Sequence, residues 1–190
     1  MISINYKDTI EIVCRLYVFF FLTAYGLGKV IGAQFYTPDL IPSEIETMPI
    51  SMTSDFDLAW VFMGRSFGYM LFIGIAEILG AVLLLFNRTK LIGTLILIPI
   101  MVNVIVFDIF FLDEYGALAS AIIYFLMLCV ILVINKEKIV EVLKILFQYD
   151  KKEKTTFKEK LIKYSIIILI LAIVFTMNQL IVGWLGYGKG

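Results

Sequence analysis

Histidine is absent from all 190 residues, and that absence removes whole classes of chemistry. Without imidazole there is no bis-His haem, no His-ligated copper or iron, no catalytic triad and little scope for zinc. Cysteine is almost as scarce. Cys14 and Cys129 are the only two, and they form no CxxC, so a dithiol redox motif is missing too. No nucleotide-binding fingerprint occurs. Net charge is also lacking: 16 Lys+Arg balance 16 Asp+Glu, which leaves no electrostatic footprint for nucleic acid.

Charge of either sign is sparse. Only 17% of residues are charged and 61% are hydrophobic, with a mean hydropathy of +0.96. A soluble domain lies closer to about 45–50% apolar and ~25% charged. The apolar excess is too large for one core of this size to hide, so the solvent that the composition demands is a lipid bilayer.

Five apolar stretches, at about 10–31, 66–86, 91–112, 116–134 and 163–185, are each long enough to cross a ~30 Å hydrocarbon layer as a helix. The first reads as a retained span rather than a cleaved signal. Its apolar run is too long, it contains Arg15 and Lys29, and it has no A-x-A-like exit. Lysine and arginine then alternate with the connections. Lys7 precedes the first span, while 32–64 has no Lys or Arg and carries Asp39, Glu44, Glu46, Asp55 and Asp57. The turn Asn87-Arg88-Thr89-Lys90 is basic, and Asp113-Glu114-Tyr115 is acidic. The segment 135–162 holds Lys136, Lys138, Lys144, Lys151, Lys152, Lys154, Lys158 and Lys160. The positive-inside rule therefore puts the N-terminus in the cytoplasm and the C-terminus outside. Cys14 and Cys129 then fall near the reducing side and read as small buried apolar residues rather than a disulfide.

The organisation expected is a four-helix membrane bundle over 1–134 with an external cap at about 32–64. A cytoplasmic amphipathic and basic segment at 135–162 and a fifth span with an external tail at 163–190 complete it. The cap holds Pro38, Pro42 and Pro49, and the run Asp55–Phe62 reads as an interfacial turn with Trp60 at headgroup level. Its aromatics, Phe35, Tyr36, Phe56, Trp60 and Phe62, suit either a packed lid or a solvated loop. Within 136–149, Ile139, Val142, Leu143, Leu146 and Phe147 share one helical face and Glu137, Glu141, Lys144 and Gln148 the other. That pattern is an in-plane helix on the cytoplasmic leaflet. The lysines after it serve anionic lipid or topology alone. Pro99 inside the third span should kink it, and Gly26, Gly28, Gly64, Gly68, Gly74, Gly80 and Gly93 read as packing devices.

Ionisable groups at membrane depth must face the bundle interior and find partners. They are Arg15, Lys29, Glu77 and Asp108, with Asn103 beside Asp108 and Arg65 at the outer start of span two. Counting rise along each span puts Lys29 ~13 Å and Asp108 ~10 Å outward of the midplane, Glu77 within ~2 Å of it, Asn103 ~3 Å outward and Arg15 ~8 Å inward. Two layers follow: Lys29, Asp108 and Arg65 above, and Glu77 with Arg15 below, capped by Asn103. They are either bundle-locking pairs or the lining of an outward-facing pocket for a polar head or a quinone carbonyl. Asn178 and Gln179 in span five could bond to the bundle or to a partner subunit.

Arg15-Leu16, Ala24-Tyr25-Gly26-Leu27-Gly28-Lys29-Val30-Ile31-Gly32-Ala33-Gln34-Phe35, Gly74-Ile75-Ala76-Glu77-Ile78-Leu79-Gly80-Ala81-Val82-Leu83-Leu84-Leu85, Arg88-Thr89 and Asn103-Val104 with Asp108 together resemble the DoxX-like family of small integral membrane proteins, over roughly residues 10–134. The resemblance implies a four-helix bundle linked to quinone-dependent redox complexes, a thiosulfate:quinone oxidoreductase among them, or to membrane assemblies answering oxidative stress. Arg15, Lys29, Glu77, Asn103 and Asp108 would be its polar positions. The fifth span, the cap and the amphipathic helix extend beyond the four-helix pattern. The expected function is an accessory subunit of such a complex that binds quinone or lipid, in a bacterial cytoplasmic membrane, with a redox membrane protein as partner. The alternative is a non-catalytic scaffold for a partner complex. The orientation is testable directly. A phosphatase reporter that folds only outside the cytoplasm should be active when fused after Glu46 and silent when fused after Lys160; the reverse pattern would overturn the topology.

Overall fold

A computed structural model describes residues 5–112, 115–147 and 156–185. The acidic turn at Asp113 and Glu114, Gln148, the lysines at 151, 152 and 154, and the tail from Gly186 lie outside the described residues. Among the described residues the chain is helical without strands: α1 Tyr6–Val30, α2 Ser43–Glu46, a short 3-10 turn Ile50–Met52, α3 Asp55–Gly64, α4 Phe67–Leu84, α5 Lys90–Phe111, α6 Tyr115–Ile134, α7 Lys136–Leu146 and α8 Phe157–Leu185. Five of these, α1, α4, α5, α6 and α8, are long and apolar enough to cross a membrane. The chain divides into two compact units, through Leu143 and from Lys144, and each is described by itself.

In the first unit α1 packs on α4, α4 on α5, α5 on α6 and α6 on α1, a closed up-down-up-down ring. One end of the ring carries the turn Leu85–Thr89, and the other carries α2, the 3-10 turn and α3. Inside lie Cys14, Val18, Leu22, Ala81, Leu84, Leu97, Met101, Ala121, Tyr124, Leu128 and Ile131, recurring at three- and four-residue spacing on each helix. Phe20, Leu79, Leu95 and Phe110 point outward and are exposed, while Glu11, Arg15, Lys29, Glu77 and Asp108 are buried. Apolar outside and ionisable inside is the inverse of a water-soluble bundle, and it fits lipid as the surrounding medium. The second unit holds α8, where Thr156 N–H donates to the Glu159 side chain at 2.8 Å and satisfies an amide at the helix start.

Glycine sets how closely the helices approach. A Cβ added to Gly26 would lie 2.8 Å from the Gly74 carbonyl oxygen, and one added to Gly74 would lie 2.7 Å from that of Gly26. Between α5 and α4 a Cβ added to Gly93 would lie 2.6 Å from the Gly80 carbonyl oxygen, while one added to Gly80 would strike the Leu97 side chain at 2.7 Å. These are backbone-to-backbone crossings of the kind small residues permit. Gly68 meets only the Ser66 hydroxyl, 4.0 Å from an added Cβ, whereas Gly64 lies under the Tyr36 backbone, which a Cβ would strike.

Three readings of the segments change. The fifth span begins at Phe157 rather than 163, which takes Lys158 and Lys160 of the expected basic segment into its first turn. The first span begins at Tyr6 rather than 10, because the Asn5 side chain caps the Lys7 N–H and Glu11 is buried inside the bundle. The run Asp55–Phe62 is not an interfacial turn but most of a helix, α3. Ser54 opens it by accepting from the Asp57 N–H at 3.1 Å, a side-chain cap that Asp55 and Asp57 in the first turn reinforce at the positive end of the helix dipole. The cap aromatics pack. Trp60 stacks on Phe56 at 4.2 Å and meets the edge of Phe35 at 5.3 Å. The Tyr36 hydroxyl faces Asp57, and burial together with that carboxylate pushes the phenol up from its ordinary pKa. Gly32, at φ +72°, reverses the chain from α1 into this cap, a conformation open to glycine at little cost.

The glycine crossing makes a stability prediction. Gly74→Ala should displace α1 and lower stability by about 1–3 kcal/mol, the usual cost of overpacking, read as a fall in the thermal midpoint in detergent. Gly116→Ala, where a Cβ meets nothing within 4 Å, should leave it unchanged or raised.

Candidate functional site

The Gly26–Gly74 contact fixes the register of α1 against the antiparallel α4. Lys29 lies three residues beyond the contact toward the cap, and Glu77 three residues beyond it toward the turn end, ~9 Å apart along the axis. Helical side chains lean toward the N-terminus of their own helix. On these opposed helices the two therefore lean toward each other, and Gly74 leaves room for the lysine stem, whose Cβ would lie 3.1 Å from an added Cβ. Lys29 Nζ donates to Glu77 Oε1 at 2.9 Å and to Oε2 at 2.7 Å. Lys29 is 6% and Glu77 2% exposed.

The layers expected from depth alone are thus rearranged. Glu77 takes Lys29, not Arg15. Arg15 leans the other way, to the C-terminal end of α4, where its Nε donates to the Leu84 carbonyl and its two terminal nitrogens donate to the Leu85 carbonyl and to Asn87 Oδ1, each at 2.7 Å. A guanidinium there satisfies carbonyls that the last helical turn leaves without partners and complements the negative end of the helix dipole. Counting Cα depth missed this because it ignored the lean of the side chains.

Asp108 on α5 is 5% exposed, yet among the described residues its carboxylate has neither a hydrogen bond nor an ion pair. Lys29, Glu77 and Asp108 together line two cavities. One, of about 440 Å³, is completed on the α6 side by Tyr25, Ser120 and Tyr124. The other, of about 550 Å³, is completed on the α4 side by Tyr69, Phe72 and Phe107. Trp60 of the cap and Gln34 line both, and Gln34 Oε1 is buried with no hydrogen-bond partner. Asn103 is exposed and lines only the α4-side cavity. Arg65 is exposed at the C-terminal cap of α3 and lines neither.

A second polar cluster went unpredicted. Glu11, 4% exposed, receives Lys90 Nζ, Asn135 Nδ2 at 3.2 Å and Arg15 at 3.5 Å. It ties α1, α5 and the end of α6 at the turn end. The available signal was Glu11 standing four residues before Arg15, the spacing at which helical side chains meet. No sequence signal marked Asn135 or Gln34. Among the described residues no cluster of His, Cys, Asp and Glu suits a metal.

The Bacillus subtilis protein YwoB, whose name describes it as uncharacterized, is 36% identical to this chain over 132 residues, covering 70% of this chain and 80% of its own length. No family model matches the chain, and no solved structure matches it.

Whether the buried pair serves stability alone is decided by substitution. Lys29→Met or Glu77→Met alone leaves an unpaired buried charge and should cost about 3–5 kcal/mol, while the double substitution should recover most of it. The thermal midpoint in detergent reads all three.

Proposed function

We propose a function for this chain, which belongs to the family of the Bacillus subtilis protein YwoB. It is a bacterial cytoplasmic-membrane protein of DoxX-like pattern, N-terminus inside and C-terminus outside. It holds the head of a quinone or other lipid in an outward-facing polar pocket, as an accessory subunit of a quinone-linked or oxidative-stress redox complex. The observation that carries this reading is the unpartnered, buried Asp108 beside the Lys29–Glu77 pair on the walls of two cavities. Native bundles pair buried charge. A carboxylate left without a partner next to empty volume is supported by an occupant that supplies one.

The surroundings favour an amphiphile. Leu22, Met101, Val104 and Leu112 give the α6-side cavity apolar walls, suited to a ring or the start of a tail, while the three ionisable groups gather at one place to meet a polar head. Without histidine or a dithiol motif, electrons would reach a bound quinone from a partner protein. α7 would lie in the plane of the cytoplasmic leaflet on its apolar face.

Protein purified from its native membrane in mild detergent should yield near-stoichiometric quinone on solvent extraction, read by ultraviolet absorbance and mass spectrometry. The yield should fall to background in Glu77→Ala and in the shape-conserving Asp108→Asn. Absence of quinone from folded protein that retains its lipids would overturn the reading in favour of a scaffold, with the cap and α8 as contact surfaces.

A further inference from the structure

The groups at the cavity walls are unequal in what they still lack. Lys29 directs two of its three N–H bonds at Glu77, and that pair is neutral as a unit. Asp108 is the surplus. Arg15 is engaged at the far end of α4 and Arg65 is exposed outside the cavities, so no second cation among the described residues meets the Asp108 carboxylate. The other unsatisfied atom on both cavity walls, Gln34 Oε1, is also an acceptor. The hydroxyls of Tyr25, Ser120 and Tyr124 can turn to donate or accept, but an ionised carboxylate can only accept.

Resting on the reading that an amphiphile head occupies these cavities, we infer that the head is a hydrogen-bond donor, a hydroxyl or an ammonium, placed against Asp108, so that the site takes hydroquinone in preference to quinone. A quinone carbonyl set against an ionised Asp108 would bring acceptor to acceptor and shut the carboxylate off from any donor, the costly half of the hydrogen-bond asymmetry. A hydroquinone hydroxyl supplies the missing donor, and an O–H···O⁻ bond is among the strong ones. Sites built to bond a hydroxyl reject analogues that lack it far more sharply than apolar pockets discriminate by size.

The test uses the full chain in nanodiscs of phosphatidylglycerol and phosphatidylethanolamine, under anaerobic conditions. The probes are an isoprenyl para-benzohydroquinone, the matching para-benzoquinone and dodecylamine. Hydroquinone should bind at least about tenfold more tightly than quinone, and this wild-type ratio decides the inference without any variant. Asp108→Asn, whose amide donates as well as accepts, should bring the ratio close to unity. Gln34→Met should reduce it by a smaller factor. Equal or tighter binding of quinone overturns the donor rule while leaving the pocket reading intact. Dodecylamine binding that depends on Asp108, with neither ring form bound, upholds the donor rule and overturns the quinone reading. Binding of none of the three overturns both.

Discussion

A charge held away from water must find its counter-charge, and toward the cap end of the four-helix ring that demand is met by the contact between Lys29 and Glu77. Neither residue could stand where it does on a bundle of ordinary spacing. The pair forms because Gly26 and Gly74 let α1 and α4 touch along their backbones, which brings the lysine stem across α4 within reach of a carboxylate one helical turn deeper. Antiparallel direction does the rest, since each side chain leans toward the other. The glycines, the ion pair and the helix register are therefore one arrangement. Closing the other side of the ring through Gly80 and Gly93 draws in α5, and with it Asp108.

The two ends of this bundle treat polar atoms differently, and the difference separates a lock from a site. At the turn end Glu11 is met by Lys90, Arg15 and Asn135, and Arg15 also meets two carbonyls and Asn87. Three helix ends are tied together and little bonding capacity is left over. At the cap end the inventory is open: Gln34 Oε1 is buried without a partner, the Asp108 carboxylate has no hydrogen bond among the described residues, and both line the two cavities. A polar cluster that closes on itself explains its own burial. One that stops short, with an aromatic cap of Phe35, Trp60 and Phe56 folded over it, needs something further to explain it.

Much of this was legible in the chain. The long apolar runs placed four spanning helices to within four residues, because a bilayer imposes length and composition together. The fifth starts six residues early because 157–162 mixes lysine into the helix. The rarity of charge inside those runs singled out Arg15, Lys29, Glu77 and Asp108 as interior groups. Pairing was not legible, because it turns on register and side-chain direction. Register is set by glycine crossings that look alike in sequence: Gly74 and Gly68 are equally small, yet one is pressed against α1 and the other meets only the Ser66 hydroxyl of its own helix start. α3 was hidden by its own mixture of Asp, Phe and Trp, which has no helical stripe and forms a helix on the strength of a serine cap and contacts with α4 and α5. Glu11 was hidden because the span was begun one residue before it, where a carboxylate reads as a solvated flank.

The absences of the sequence bear on what the open site can be. Without imidazole, the proton and hydrogen-bond chemistry at membrane depth falls to carboxylates, an ammonium, hydroxyls and amides. Among these the carboxylate alone is an obligate acceptor when ionised, and so it dictates the polarity of whatever it meets. Pairing Glu77 with Lys29 takes both Glu77 oxygens out of play and leaves Asp108 to set that polarity. Had Asp108 been the partner of Lys29, as depth alone suggested, Glu77 would have been the free carboxylate, on α4 rather than α5. The register chosen by two glycines thus decides which carboxylate is bound up in structure and which is left facing the cavities.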